Sequence, residues 1–250
     1  MSVHPKKMRT RTGFIKLTEG FFTRINIKRM KDKEHYRRNL PHFEQPGQAF
    51  FITVNLNDAI PPKALSRYTS QLNLLKDEIN QAKKDKTRQM LLPELEKDYA
   101  VLRKKYIKAY DDLLDLDKSS EVNLNLSGNR EIMFDAFRYY EGKRLENYAF
   151  CVMRNHYHWV VRLFEKDENG KPVYLNEILK VVNGFSAYSI NNLENKTGRT
   201  VWQEENFETT IRNERHLYNA IMYTINNPVK AGLVENWRDS EGTWCSEMFG

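Results

Sequence analysis

The sequence predicts an α+β fold built on an antiparallel sheet. Three observations predict it. Short apolar or β-branched runs alternate with longer segments of helical period. Two of those runs, residues 147–153 and 156–164, are joined only by Arg154-Asn155, a tight connection that makes the two strands antiparallel neighbours. The 40% hydrophobic content of 250 residues is enough for one good core, with length left over for an appendage.

In chain order, residues 1–46 come first as a basic arm, with Lys6, Lys7, Arg9, Arg11, Lys16, Arg24, Lys28, Arg29, Lys31, Lys33, Arg37 and Arg38 and few acids. Such an arm either trails as a solvated tail or tracks phosphates and orders on DNA. The main domain is expected over 47–245. Pro46-Gly47 turns the chain into residues 48–56, the first strand.

From about 61 to 118 the period changes. Leu65, Tyr68, Leu72, Leu75, Ile79 and Ala82 recur at alternating spacings of three and four, and Leu95, Tyr99, Leu102, Tyr106, Ala109, Leu113 and Leu116 repeat the rhythm. Residues 83–89 break the seam, and Pro93 suits the first turn of a second helix with Glu94 and Glu96 at its positive end. An antiparallel helical hairpin is predicted, its seams satisfying each other; a dimerisation arm or DNA clamp is the functional alternative, and a homodimer is open.

A helix over 128–141 follows, with Ser127 as cap and Ile132, Met133, Phe134, Phe137 and Tyr140 facing the sheet. After the strand pair and the loop at 167–172, residues 175–194 read as an amphipathic helix on Ile178, Leu179, Val182, Phe185, Ile190 and Leu193. A short last strand is expected at 200–203 and a last helix at 214–226, with Asn227 at its end because the residue before Pro228 is pushed away from helical geometry.

Charge adds a weak pointer. Lys and Arg number 40 against 33 Asp and Glu, a net +7, which leans toward a polyanionic partner. Cys151 and Cys245 have no metal or disulfide spacing, which fits a reducing cytoplasm, and no signal peptide or membrane span is expected.

The chemistry concentrates in His156-Tyr157-His158, two histidines on one face of a strand, and in Tyr223 and Asn227, one helical turn apart. A lone His-x-His is more often a packing pair, and a lone helical Tyr more often core. Together the four suggest a metal site beside a tyrosine nucleophile, with two imidazoles as ligands and the Asn227 amide oxygen as a third unless Asn227-Pro228 is simply a helix stop. Mixed nitrogen and oxygen ligands suit Mn²⁺, with Mg²⁺ as the alternative. Arg154, Asn155, Lys180, Arg199, Trp202, Gln203, Arg212 and Lys230 lie near these blocks and are the candidate DNA contacts, with Trp202 either stacking on a base or buried. His216 and Tyr218 read as packing or surface residues, and His42 as packing for the arm.

Residues 37–56, Met153-Arg154-Asn155-His156-Tyr157-His158, Val201-Trp202-Gln203, Ile211-Arg212-Asn213-Glu214 and Tyr223-Thr224-Ile225-Asn226-Asn227-Pro228 with its continuation to Val234 carry a resemblance. In that order they resemble the REP-associated tyrosine transposases, single-tyrosine members of the HUH nuclease superfamily. The resemblance spans 37–56 and about 128–245, so the 61–118 hairpin reads as an insertion. It implies a ferredoxin-like sheet with the histidines on a central strand. It also implies a metal-dependent single-stranded DNA endonuclease and strand transferase that forms a 5′-phosphotyrosine intermediate. The implied partners are palindromic repeats folded as single-stranded DNA hairpins, with a tetranucleotide at the cut, and the implied location is the cytoplasm, in association with the nucleoid. Thr209 departs from the pattern, standing where a histidine often precedes the Ile-Arg pair. A domesticated hairpin-binding protein without effective cleavage is the alternative. An RNA-binding ferredoxin-like domain or a small-molecule metal hydrolase would leave Tyr223 unexplained.

Overall fold

A computed structural model describes residues 46–249 apart from 62, 117–119 and 205, together with the backbone of two short paired strands, β1 (His35–Arg37) and β2 (Pro41–Phe43). Most of the basic arm therefore lies outside the described residues. Next come β3 (Ala49–Asn55), α1 (Ser66–Lys84), α2 (Leu92–Leu116), α3 (Ser127–Arg138), β4 (Leu145–Val152) and β5 (His156–Leu163). The chain ends with α4 (Leu175–Leu193), β6 (Phe207–Thr210), α5 (Glu214–Lys230) and β7 (Thr243–Cys245).

The sheet has the order β6-β3-β5-β4-β7, and every neighbouring pair is antiparallel. Leaving aside β7 and the α1–α2 hairpin, the sequence β3-α3-β4-β5-α4-β6 with this strand order is the ferredoxin-like arrangement. No described helix is long and apolar enough to cross a membrane.

Alternation along the central strand β5 sorts its side chains. Tyr157, Trp159, Val161 and Leu163 enter the larger core beneath α3 and α4, together with Phe50, Ile52 and Val54 of β3. Full burial of each such side chain contributes about 1.5–3 kcal/mol. The opposite face is where Val160, Tyr148 and Ala149 pack against Leu217, Ala220, Ile221 and Ile225 of α5. His156 and His158 share the parity of Val160, so both point toward the α5 side.

Four expectations are corrected. The last sheet strand is Phe207–Thr210, which pairs with β3; residues 201–203 supply a single bridge, Trp202 to Leu56. The buried stripe of α4 runs through Ile178, Leu179, Val182, Ser186 and Ile190, leaving Phe185 and Leu193 about half exposed. One step along a helix turns a side chain by about 100°, so the placement of Phe185 inside was one residue out of phase. Ser186 is buried there because its hydroxyl receives the Trp202 indole N–H at 3.0 Å.

Third, α5 continues through Pro228 to Lys230. Proline lacks the N–H that would bond one turn back, but the helix ends two residues later, and its close is well made. Gly232, at φ 69°, donates to Val229 O at 2.9 Å, and Leu233 donates to Pro228 O at 2.9 Å. This paired closure with a left-handed glycine satisfies carbonyls that would otherwise be orphaned. Ser127 is likewise the first residue of α3 rather than its cap, bonding to Glu131 at 3.1 Å.

The α1–α2 hairpin forms as expected, joined by a short 3₁₀ segment, Lys86–Leu91. It is not wholly self-packed. Tyr110 and Leu114, near the end of α2, are buried in the larger core, and the Tyr110 hydroxyl donates to Asn55 of β3. The root of the hairpin is thus part of the main domain.

Candidate metal and nucleophile site

His156 and His158 are each only 1% exposed, and their rings meet edge to face with centroids 4.8 Å apart. Each has its Nδ1 engaged. Thr53 Oγ1 of the adjacent strand is 2.8 Å from His158 Nδ1, and Asn155 Oδ1 is 2.7 Å from His156 Nδ1. Orienting partners of this kind fix ring direction and leave Nε2 as the nitrogen available for a ligand.

Helix α5 brings the rest. Asn227 is 2% exposed, and its Nδ2 lies 3.0 Å from His158 Nε2, while its Oδ1 is buried without a hydrogen-bond partner. One turn earlier, the Tyr223 ring meets His158 edge-on at 5.2 Å and Phe51 at 5.5 Å, and Phe51 stacks on His158 at 5.7 Å. Helical spacing puts Tyr223 and Asn227 over one imidazole, as their spacing in the sequence predicts. Asn226, the neighbouring amide, is turned back onto its own helix, donating to Met222 O at 2.9 Å.

Electrostatics keep both rings neutral. Burial pushes His156 down to about 3, helped by the Lys230 charge and opposed by its contact with Asn227. Burial also holds His158 well below the ordinary histidine range, with His156 and Lys230 adding to the effect. Neutral imidazoles are what a cation requires as ligands. Turning the Asn227 amide over exchanges its Oδ1 and Nδ2, which gives the orphaned oxygen a role and sets two ring nitrogens and one amide oxygen together. The donor set therefore fits a divalent cation. Among the described residues no group of three or more His, Cys, Asp or Glu could hold a metal.

The structure adds a neighbour that sequence reasoning missed. The Tyr223 hydroxyl donates to Asp111 Oδ2 of α2 at 2.7 Å. Burial raises the Tyr223 phenol strongly, and the Asp111 charge raises it further. Asp111 is itself raised by burial, against the pull of the Tyr223 bond and Lys230. One turn along α2, Asp115 bonds Lys230 Nζ at 2.9 Å. The available signal was a pair of aspartates one turn apart off the apolar seam of α2, which does not distinguish a site from a solvated face.

The candidate DNA contacts divide. Lys180 and Arg212 are exposed. Lys230 is held by Asp115, and Arg199 is drawn inward between Glu194, at 2.7 Å, and Glu121, at 3.5 Å. Asn155 is buried, orienting His156 and donating to Leu114 O at 3.0 Å. Gln203 accepts from Asn55 and Tyr110. Arg154 is half-buried, and its main-chain oxygen accepts from Leu124 N at 2.8 Å. Trp202 is 8% exposed with Tyr157 against its ring at 5.4 Å, so it is core rather than an open stacking platform. His216 and Tyr218 lie away from the chemistry: the His216 N–H is capped by Asn213, and Tyr218 is 54% exposed.

No family model matches the chain. A 101-residue stretch is 29% identical to a protein of Haemophilus influenzae that carries the name REP-associated tyrosine transposase, covering 38% of this chain and 55% of that protein. The chain thus spans about half the length of that relative. A solved structure of a REP-associated tyrosine transposase bound to a REP hairpin aligns over 86% of this chain and 82% of its own, at 14% identity and a TM-score of 0.43. The chain resembles this family.

Proposed function

We propose that this chain is a metal-dependent single-stranded DNA endonuclease and strand transferase, working through a 5′-phosphotyrosine link at Tyr223 on hairpins of palindromic repeats. The observation that carries the reading is that one helix sets a tyrosine ring and an amide against the same buried histidine, 5.2 Å by ring centroids and 3.0 Å by Nδ2. The sequence likeness to a REP-associated tyrosine transposase supports the choice of DNA hairpin as substrate.

Each residue then has a task. His156, His158 and Asn227 would hold the cation, with Thr53 and Asn155 fixing the rings. When bound, the cation would offset charge on the scissile phosphate and on the leaving 3′ oxygen. Tyr223 attacks phosphorus, Phe51 and His158 bracing its ring. Because the new bond keeps the character of a phosphodiester, a second 3′-hydroxyl can reverse it and rejoin strands without ATP.

The test is incubation of the protein and Mn²⁺ with labelled single-stranded hairpins, read on a denaturing gel. A covalent adduct is expected with wild type and none with Tyr223→Phe, which loses only the nucleophilic oxygen and keeps its hairpin affinity. Hairpin binding without any adduct would instead assign the chain to the binding class.

A further inference from the structure

The sequence resemblance does not extend to α2, yet α2 reaches the reacting atom. Asp111 Oδ2 stands 2.7 Å from the Tyr223 hydroxyl. An ionised carboxylate only accepts hydrogen bonds, so the phenol proton already points at it. We propose that Asp111 is the base that takes the Tyr223 proton as strand cleavage begins. This rests on the strand-cleaving reading above.

The placement of Asp111 is fixed from three directions. Tyr110, beside it, is buried and donates to Asn55 of β3. Leu114 O accepts from Asn155 Nδ2 at 3.0 Å, and Asn155 also orients His156. Asp115 holds Lys230 of α5 at 2.9 Å. These contacts tie the root of α2 to β3, to the turn that leads into the histidine strand β5, and to α5, which carries Asn227. A proton acceptor held this firmly needs no rearrangement at the moment of reaction, which is the condition under which such a group is effective.

The step balances as follows. The Tyr223 O–H bond breaks, its proton goes to Asp111, and the oxygen lone pair forms the bond to phosphorus. The bond from phosphorus to the 3′ oxygen breaks, and that oxygen takes a proton from water. In rejoining, an incoming 3′-hydroxyl gives its proton to water and bonds phosphorus, while the departing tyrosine oxygen recovers its proton from Asp111. The group that opens the reaction therefore also closes it.

The test uses the full chain, a labelled hairpin and Mn²⁺. Asp111→Asn keeps the shape and can still bond the phenol, but it cannot take its proton; adduct formation should slow about a hundredfold, the scale of general base catalysis. Its Mn²⁺ affinity and melting temperature should match wild type. Asp111→Ala should be equally slow and should recover as acetate or formate is added, since a small carboxylate can enter the space left. An adduct rate for Asp111→Asn at or above wild type overturns the proposal, because the carboxylate would then be an obstacle to the phosphate. A slow Asp111→Ala that no added carboxylate relieves overturns it too. Failure of wild type to form any adduct would sink the strand-cleaving reading, and this assignment with it.

Discussion

Thr53 and Asn155 decide what the two histidines can do. With the Nδ1 atoms engaged, each ring has one nitrogen to offer, and its direction is set by the strand. Thr53→Val would leave the His158 ring N–H buried without an acceptor; Mn²⁺ affinity by calorimetry should fall about 10–100-fold. His158→Ala should remove measurable binding, whereas Asn227→Ala should be milder because water can take the place of a neutral amide. Acid gives an independent check. The folded protein keeps both imidazoles neutral, while the unfolded chain takes up protons below its ordinary value near 6.5. Stability is thus present above about pH 6.5 and drains away below it, until His156 itself protonates near 3. Between pH 6.5 and 5 His156 should cost on the order of 2 kcal/mol, read as the loss by metal-free wild type relative to His156→Gln, with His158 acting in the same direction. His156, His158, Tyr223 and Asn227 were legible because strand and helix periods put them on shared faces. Asp111 and Thr53 were not: they lie 112 and 105 residues from the partners they meet, and no local pattern encodes such a meeting.

At the scale of elements, the sequence identified the hairpin of β4 and β5 and the main helices, and its errors were of phase and extent. Residues 200–203 looked like a strand because Val201 and Trp202 are apolar, but Trp202 is spent on one bridge and a bond to Ser186. Proline near a helix end was read as a stop, although closure by Gly232 lets α5 run on to Lys230. Gly232→Ala puts a side chain on a left-handed residue at φ 69°, and about 1–2 kcal/mol of stability should be lost in denaturant unfolding. Gly242 is under a different constraint. A Cβ there would fall 2.4 Å from Val152 O, the strand end to which β7 is stitched. Gly242→Ala should therefore loosen β7 from β4, visible as faster amide exchange at Val152, whose N–H bonds Gly242 O at 2.8 Å.

For the whole molecule, the α1–α2 hairpin is the feature that local reading treated too modestly. Its heptad rhythm foretold two packed helices, but rhythm does not say where a hairpin is rooted. Tyr110 and Leu114, buried in the main core, give the answer. Leu114→Ala should cost about 2–5 kcal/mol, whereas substitutions at Met90, 82% exposed at the tip, should be silent in thermal unfolding. The basic arm belongs to this scale as well. Deleting residues 1–36 should flatten the salt dependence of hairpin affinity by about 0.7 in slope for each phosphate that the arm neutralises, with cleavage surviving at saturating DNA.

The rooting of the hairpin has one more consequence. Tyr68 meets Tyr106 near its base, and Lys83 meets Glu96 at 3.2 Å near its tip, so the two helices are meshed along their length. Lengthening or shortening by an arbitrary number of residues would swing one helix's apolar ridge out of the other, whereas a heptad taken from both brings the ridges back within about 20°. The appendage is free in length only in whole repeats, like a ratchet that advances tooth by tooth while its pawl stays fixed.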